Sequence, residues 1–187
     1  MIIQTESTPN PDTLKFLPGK KVSEVGSLEF LKNDKNIEIP LANKILSLEG
    51  TLMVFFGEDF ITVKKEKNLS WENLKHGIIS EINDYYSKGN NVVVKRDLKK
   101  QKQNKTEVTN EASDIVKKIN EILDAKIRPA VARDGGDITF KSFKDGIVTV
   151  ELKGSCSGCP SSTATLKQGV QNLLCHYITE VKSVEAV

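Results

Sequence analysis

Apolar residues in this chain follow two patterns, short runs that alternate with polar residues and longer runs that recur at every third or fourth position. The first marks strands half-buried on a sheet, and the second marks helices with one apolar face. Ile2-Ile3-Gln4-Thr5 predicts a short strand, followed by turn residues from Ser7 to Asp12. Thr13-Leu14-Lys15-Phe16 alternates and stops at Pro18-Gly19, which predicts a second strand paired with the first. Residues 41–48 read as a short helix ending at Gly50. The runs Leu52-Met53-Val54-Phe55-Phe56 and Phe60-Ile61-Thr62-Val63 flank Gly57-Glu58-Asp59, a hairpin signal. Ser70 caps a helix that begins at Trp71 and carries Leu74, Ile78, Ile82 and Tyr85 at helical spacing. Asn91-Val92-Val93-Val94 adds a last strand.

The pattern stops at Leu98. Residues 98–110 are polar, locally basic and almost without apolar positions, the composition of a flexible linker. Beyond it, Ile115, Val116, Ile119, Ile122, Leu123 and Ile127 mark one face of a helix capped by Asn110. Arg128-Pro129 should end or kink that helix, because the residue before a proline avoids the helical region. Asp134-Gly135-Gly136-Asp137 reads as a tight turn. Residues 138–143 and 147–152 are strands joined through Asp145-Gly146, a favoured hairpin pair. A cysteine-containing loop, a helix with Leu166, Val170, Leu173 and Leu174, and a strand at 180–184 complete the chain. The fold class is therefore α+β. Two small α+β domains, 1–97 and 111–187, are joined by the 98–110 linker, the second in the order helix, hairpin, cysteine loop, helix, strand.

Composition narrows the function by subtraction. An apolar fraction of 38%, a charged fraction of 28% and a net charge of +2 describe an ordinary globular chain with no push toward nucleic acid or an anionic membrane. No apolar run approaches the roughly 20 residues of a membrane span, and the linker lysines lack the interleaved aromatics of a single-strand binder. Residues 1–7 have neither the order of a signal peptide nor the Arg-rich character of a transit peptide. The expected location is the cytoplasm, or the mitochondrial matrix for a processed form. Nothing in the first half reads as catalytic: His76 has no partner placed beside it, and Trp71 and the phenylalanines read as core.

The chemistry concentrates in Gly154-Ser155-Cys156-Ser157-Gly158-Cys159-Pro160. Small residues let the backbone curl so that both sulfurs can face one ligand, and the helix start at Pro160 favours thiolate. In a reducing compartment such a pair is metal-binding or redox-active rather than a structural disulfide. A zinc site or an ordinary iron–sulfur cluster wants four ligands. Cys175, the third cysteine, lies roughly 20 Å along the following helix and reads as a buried small hydrophobe, and His176 is as remote. Two chains meeting across a two-fold axis supply the missing pair. The same thiolates also permit a zinc-bridged structural dimer or a dithiol oxidoreductase. Against the latter, the proline follows the second cysteine and no βαβ pattern surrounds it.

The residues from Arg128 to Asp137, then Leu152-Lys153-Gly154-Ser155-Cys156 and Cys159-Pro160-Ser161-Ser162-Thr163, resemble the NifU C-terminal-type domain. Thr8-Pro9-Asn10-Pro11, Leu14-Lys15-Phe16 and the stretch from Phe55 to Val63 are similar to the Nfu N-terminal domain. Together they cover nearly the whole chain in the order of Nfu-type iron–sulfur cluster carriers. The resemblance implies a non-catalytic scaffold that binds a [4Fe–4S] cluster through Cys156 and Cys159, shared between two protomers as a homodimer when loaded. It also implies delivery to apo iron–sulfur proteins and receipt from upstream cluster-assembly proteins, with no nucleic acid or membrane partner. The N-terminal domain, on this resemblance, carries no ligand and assists partner contact. Asp134, Gly135, Gly136 and Asp137 belong to the signature and are read as structural, the glycines for their backbone freedom and the carboxylates for bonding the turn.

Overall fold

The computed structural model describes residues 2–35, 37–90, 92–94, 110–157 and 160–187. Its contacts divide the chain into two compact units, Met1–Gln101 and Lys102–Val187. The expected linker lies outside the described residues except for Asn110.

The first unit is a five-stranded antiparallel sheet with two helices. Strands β1 (Gln4–Ser7), β2 (Thr13–Leu17), β3 (Leu28–Leu31), β4 (Thr51–Phe56) and β5 (Ile61–Lys65) lie in the order β1-β2-β5-β4-β3. Helices α1 (Pro40–Ser47) and α2 (Trp71–Ser87) supply Leu41, Ile45, Ile78 and Ile82 to a core built on Phe16, Val54, Phe56, Ile61 and Val63. The alternation dictates this, since residues two apart on a strand share a face. Ser70 caps α2 as expected, its hydroxyl accepting from the Glu72 amide at 3.3 Å.

Three local expectations shift, and one strand is added. The first strand begins at Gln4 rather than Ile2, and Ile2 is exposed. β3 was not legible in the sequence. The strand expected at 91–94 reduces to a single bridge from Val94 to Ser23, with Asn91 outside the described residues. Trp71 packs against the core but is only half-buried: its indole N–H donates to the Pro11 carbonyl at 3.2 Å, and the Lys65 ammonium lies 5.7 Å from its ring centre. His76 is exposed.

In the second unit, α3 (Asn110–Ile122) opens at the residue read as its cap and runs into a π-helical turn, Leu123–Ile127, then α4 (Arg128–Arg133). The helix therefore continues through Pro129 instead of ending, with Arg128 itself helical (φ −56°, ψ −41°). A wider turn before a proline relieves the clash of its ring with the preceding carbonyls. Tertiary bonds from Arg128, described below, hold the residue there. Strands β6 (Gly136–Lys144) and β7 (Ile147–Gly154) are antiparallel, and β8 (Ser183–Ala186) pairs with β7 in parallel. Asp145 (φ 54°) and Gly146 (φ 86°) both take the left-handed conformation, as the tight hairpin between β6 and β7 requires. The last strand lies about three residues beyond the expected 180–184, because residues 178–182 are used to turn the chain after α5 (Pro160–Tyr177). Ile119, Leu123, Val131, Ile138, Val148, Val150, Val170, Leu174 and Val184 form the core.

Candidate functional site

The loop after β7 is held by serine and threonine hydroxyls and by serine amides bonded to main-chain carbonyls. Gly136 and Gly154 face each other at the open end of the β6–β7 ladder, so the Gly135-Gly136 turn and the cysteine loop lie side by side. The Ser155 amide donates to the Gly135 carbonyl at 3.1 Å, and the Ser155 hydroxyl donates to the Asp134 carbonyl. The Ser157 hydroxyl donates to the Gly154 carbonyl at 2.8 Å. On the far side, the Thr163 hydroxyl in the first turn of α5 donates to the Cys156 carbonyl at 3.1 Å. The loop is thus fixed to β6 through serine and to α5 through threonine.

Gly136 is required by packing. A β-carbon there would sit 2.5 Å from the Lys153 carbonyl oxygen and 3.0 Å from the Cys156 sulfur. No side chain fits without moving backbone and thiol together. Gly135 sits at φ 81°, where a side chain is strained.

Arg128 holds this turn from the helical side. Its Nε donates to Asp137 Oδ1 at 3.0 Å and its terminal nitrogen to the Ile138 carbonyl at 3.1 Å, while its other terminal nitrogen pairs with Asp124. Asp137 Oδ1 also accepts from the Ile138 amide at 2.8 Å. The structural reading of the Asp-Gly-Gly-Asp turn therefore holds for Asp137 through its carboxylate, whereas Asp134 is exposed and contributes its carbonyl. Sequence reasoning missed Arg128, whose spacing to Asp124 (i, i+4) was the available signal.

Among the two expected ligands, Cys156 is 5% exposed and packs in the core of the second unit. Cys159 lies outside the described residues. Cys175 sits in the last turn of an unbroken α5, far from the loop, and is half-buried rather than buried. His176 is exposed, its ring edge against Tyr177. Among the described residues no group of three or more His, Cys, Asp or Glu is placed to hold a metal ion, and no helix is long and apolar enough to cross a membrane. Beside the loop, β7 carries Glu151, whose Oε2 meets Lys141 at 2.9 Å and Lys153 at 3.1 Å and accepts from the Thr139 hydroxyl at 3.3 Å. Burial pushes the Glu151 carboxyl up, but the hydrogen bonds and charges of the two lysines outweigh it and hold the group below its ordinary range.

Residues 3–89 match the family described as scaffold protein Nfu/NifU N terminal, and residues 119–185 match the NifU-like domain. The chain is 45% identical over 188 residues to the human mitochondrial NFU1 iron-sulfur cluster scaffold homolog, covering 100% of this chain and 72% of that protein. The chain belongs to the Nfu family. Mitochondrial NifU-like protein 4 of Arabidopsis thaliana is 46% identical over 99% of this chain and 65% of its own length. The chain thus spans about two thirds of the length of these Nfu relatives. A solved NifU-like protein from Saccharomyces cerevisiae aligns at 26% identity with a TM-score of 0.47, covering 51% of this chain and 86% of that one.

Proposed function

We propose that this protein is a non-catalytic iron–sulfur scaffold that receives a [4Fe–4S] cluster as cargo on Cys156 and Cys159, bridged between two copies, and passes it to apo-proteins. The observation that carries this reading is similarity, over the full length of this chain and 72% of the relative, to a protein named an iron-sulfur cluster scaffold homolog. The donor chemistry fits it: soft thiolates suit iron–sulfur clusters, and two per chain require a second chain. A site closed only by two subunits opens when they separate, which suits release. The relatives named mitochondrial support a mitochondrial location; the cytoplasmic expectation has no such support.

Anaerobic reconstitution tests the reading. The expected product holds near one [4Fe–4S] cluster per two chains, read by iron and sulfide analysis and Mössbauer spectroscopy. Colourless stoichiometric zinc would favour a zinc-bridged dimer, and metal-free disulfide turnover an oxidoreductase; either overturns the proposal.

A further inference from the structure

Cys156 stands between two hydroxyl anchors that hold its main chain from opposite sides. On the strand side, Ser155 is buried and doubly attached to the turn before β6. Its amide donates to the Gly135 carbonyl at 3.1 Å, and its hydroxyl donates to the Asp134 carbonyl. On the helix side, the Thr163 hydroxyl donates to the carbonyl of Cys156 itself at 3.1 Å, across seven residues of chain. With the preceding residue and its own carbonyl both fixed, Cys156 has its Cα–Cβ direction set, and the sulfur is left with staggered rotation about one bond. A hydrogen bond of this kind adds only modest net stability. Orientation is the larger consequence, since a ligand set works only when held within about 0.5 Å of its productive geometry.

We propose that Ser155 and Thr163 are positioning residues for cargo binding: they orient Cys156 through its main chain and do not themselves touch the cluster. The inference rests on the scaffold reading and deepens it. Ser155 carries the larger share, because it is buried and attached through both amide and hydroxyl, whereas Thr163 is half-buried and acts through its hydroxyl. A purely structural role makes a different demand, that cluster retention fall only in step with the stability of the second unit.

The test compares native full chain with Ser155→Ala, Thr163→Val and Thr163→Ser, and with Val184→Ala, a change at a buried core position on β8. Urea midpoints are taken on the metal-free chains, and iron loss to excess chelator and visible circular dichroism on the anaerobically reconstituted ones. Ser155→Ala should speed iron loss roughly tenfold, the scale of losing a residue that orients a ligand, and alter the dichroism. Thr163→Val should speed it several-fold, and Thr163→Ser, which keeps the hydroxyl, should restore the native rate. Val184→Ala should lower the urea midpoint at least as far as Ser155→Ala while iron loss and dichroism stay native. Should Ser155→Ala fail to fold, the Thr163 pair decides, and equal iron loss from Thr163→Val and Thr163→Ser overturns the proposal. A native chain that takes up no cluster overturns the scaffold reading and this inference with it. A loaded native chain whose variants lose iron in step with their urea midpoints, or a Ser155→Ala chain that holds iron as native does, overturns the inference alone.

Discussion

The loop at residues 8–13 and the loop at residues 154–157 both turn the chain at the end of a strand, and both bond hydroxyls to main-chain carbonyls. The first adds a side-chain acceptor and an ion pair where the second adds a close-packed glycine. In the first, side chains and main chain satisfy one another. The Asn10 carbonyl accepts from the Thr13 amide at 2.9 Å, the Thr8 hydroxyl at 2.9 Å and the Thr13 hydroxyl at 3.0 Å, while the Asn10 side chain accepts from the Asp12 amide at 3.0 Å. Asp12 in turn is paired with Lys65 at 3.2 Å. In the second, hydroxyls and amides of serine and threonine bond main-chain carbonyls, and a glycine stands where any side chain would strike the cysteine. The first arrangement uses its polar capacity inside the unit. The second fixes the backbone on either side of Cys156, the residue proposed above as a ligand.

The largest effect expected from this contrast is on cluster loading. Cys156→Ser or Cys159→Ser should abolish stable cluster binding, because each removes two ligands from a shared site and a hydroxyl is a poor ligand for it. Cys175→Ser and Asn10→Ala should leave iron content nearly unchanged. Discharge by Cys175→Ser in a folded protein would mean that α5 does not keep Cys175 away from the site. Association should follow the same division. The metal-free chain is expected as a monomer and the loaded one as a dimer, by mass action on the shared cargo. Sedimentation velocity at equal concentration checks this, and a fully loaded monomer would refute bridging.

A smaller effect separates the two modes of anchoring. Gly136→Ala should cost the second unit about 1–3 kcal/mol, the scale of overpacking, since the contact at 2.5 Å is with backbone. The same change should lower cluster retention through the displaced Cys156. Asn10→Ala should cost the first unit about 1–2 kcal/mol through the lost turn bond while retention is kept. Urea unfolding with iron analysis on both variants reads the two quantities. Equal loss of cluster from both would show that the loops are not independent.

The sequence made legible whatever was decided within a few residues. Asp145-Gly146 announced its hairpin because both residues must take positive φ, and Ser70 announced α2 because the cap bond spans two residues. Cys-x-x-Cys marked the candidate site by composition. What escaped depended on distant partners. Helix continuation through Pro129 rests on Arg128 reaching Asp137 and Ile138, nine and ten residues on. β3 is an edge strand with no clean alternation and is defined by pairing Leu28 with Phe56 and Leu31 with Met53. Burial of Cys156 could not be read from a loop of small polar residues, because the core it enters is assembled from α3, β6, β7 and α5.

The smallest effect is electrostatic and belongs to the sheet beside the cysteine loop. Glu151 is held below its ordinary range in the folded unit, against burial, by Lys141 and Lys153. A carboxylate depressed on folding stabilises above its unfolded value, near 4.5, and that contribution is lost as pH falls through the lower folded value. From pH 7 down to about 5, the Glu151 contribution should therefore be constant. Below it, the second unit should lose a share of stability that Glu151→Gln lacks throughout. The lysines are partly exposed, at 47% and 26%, so screening keeps the share to about 0.5 kcal/mol. Urea midpoints of native and Glu151→Gln chains, taken between pH 7 and 3, should differ at neutral pH and converge in acid. Parallel curves would show that the three-residue cluster is geometric and carries no net charge stabilisation.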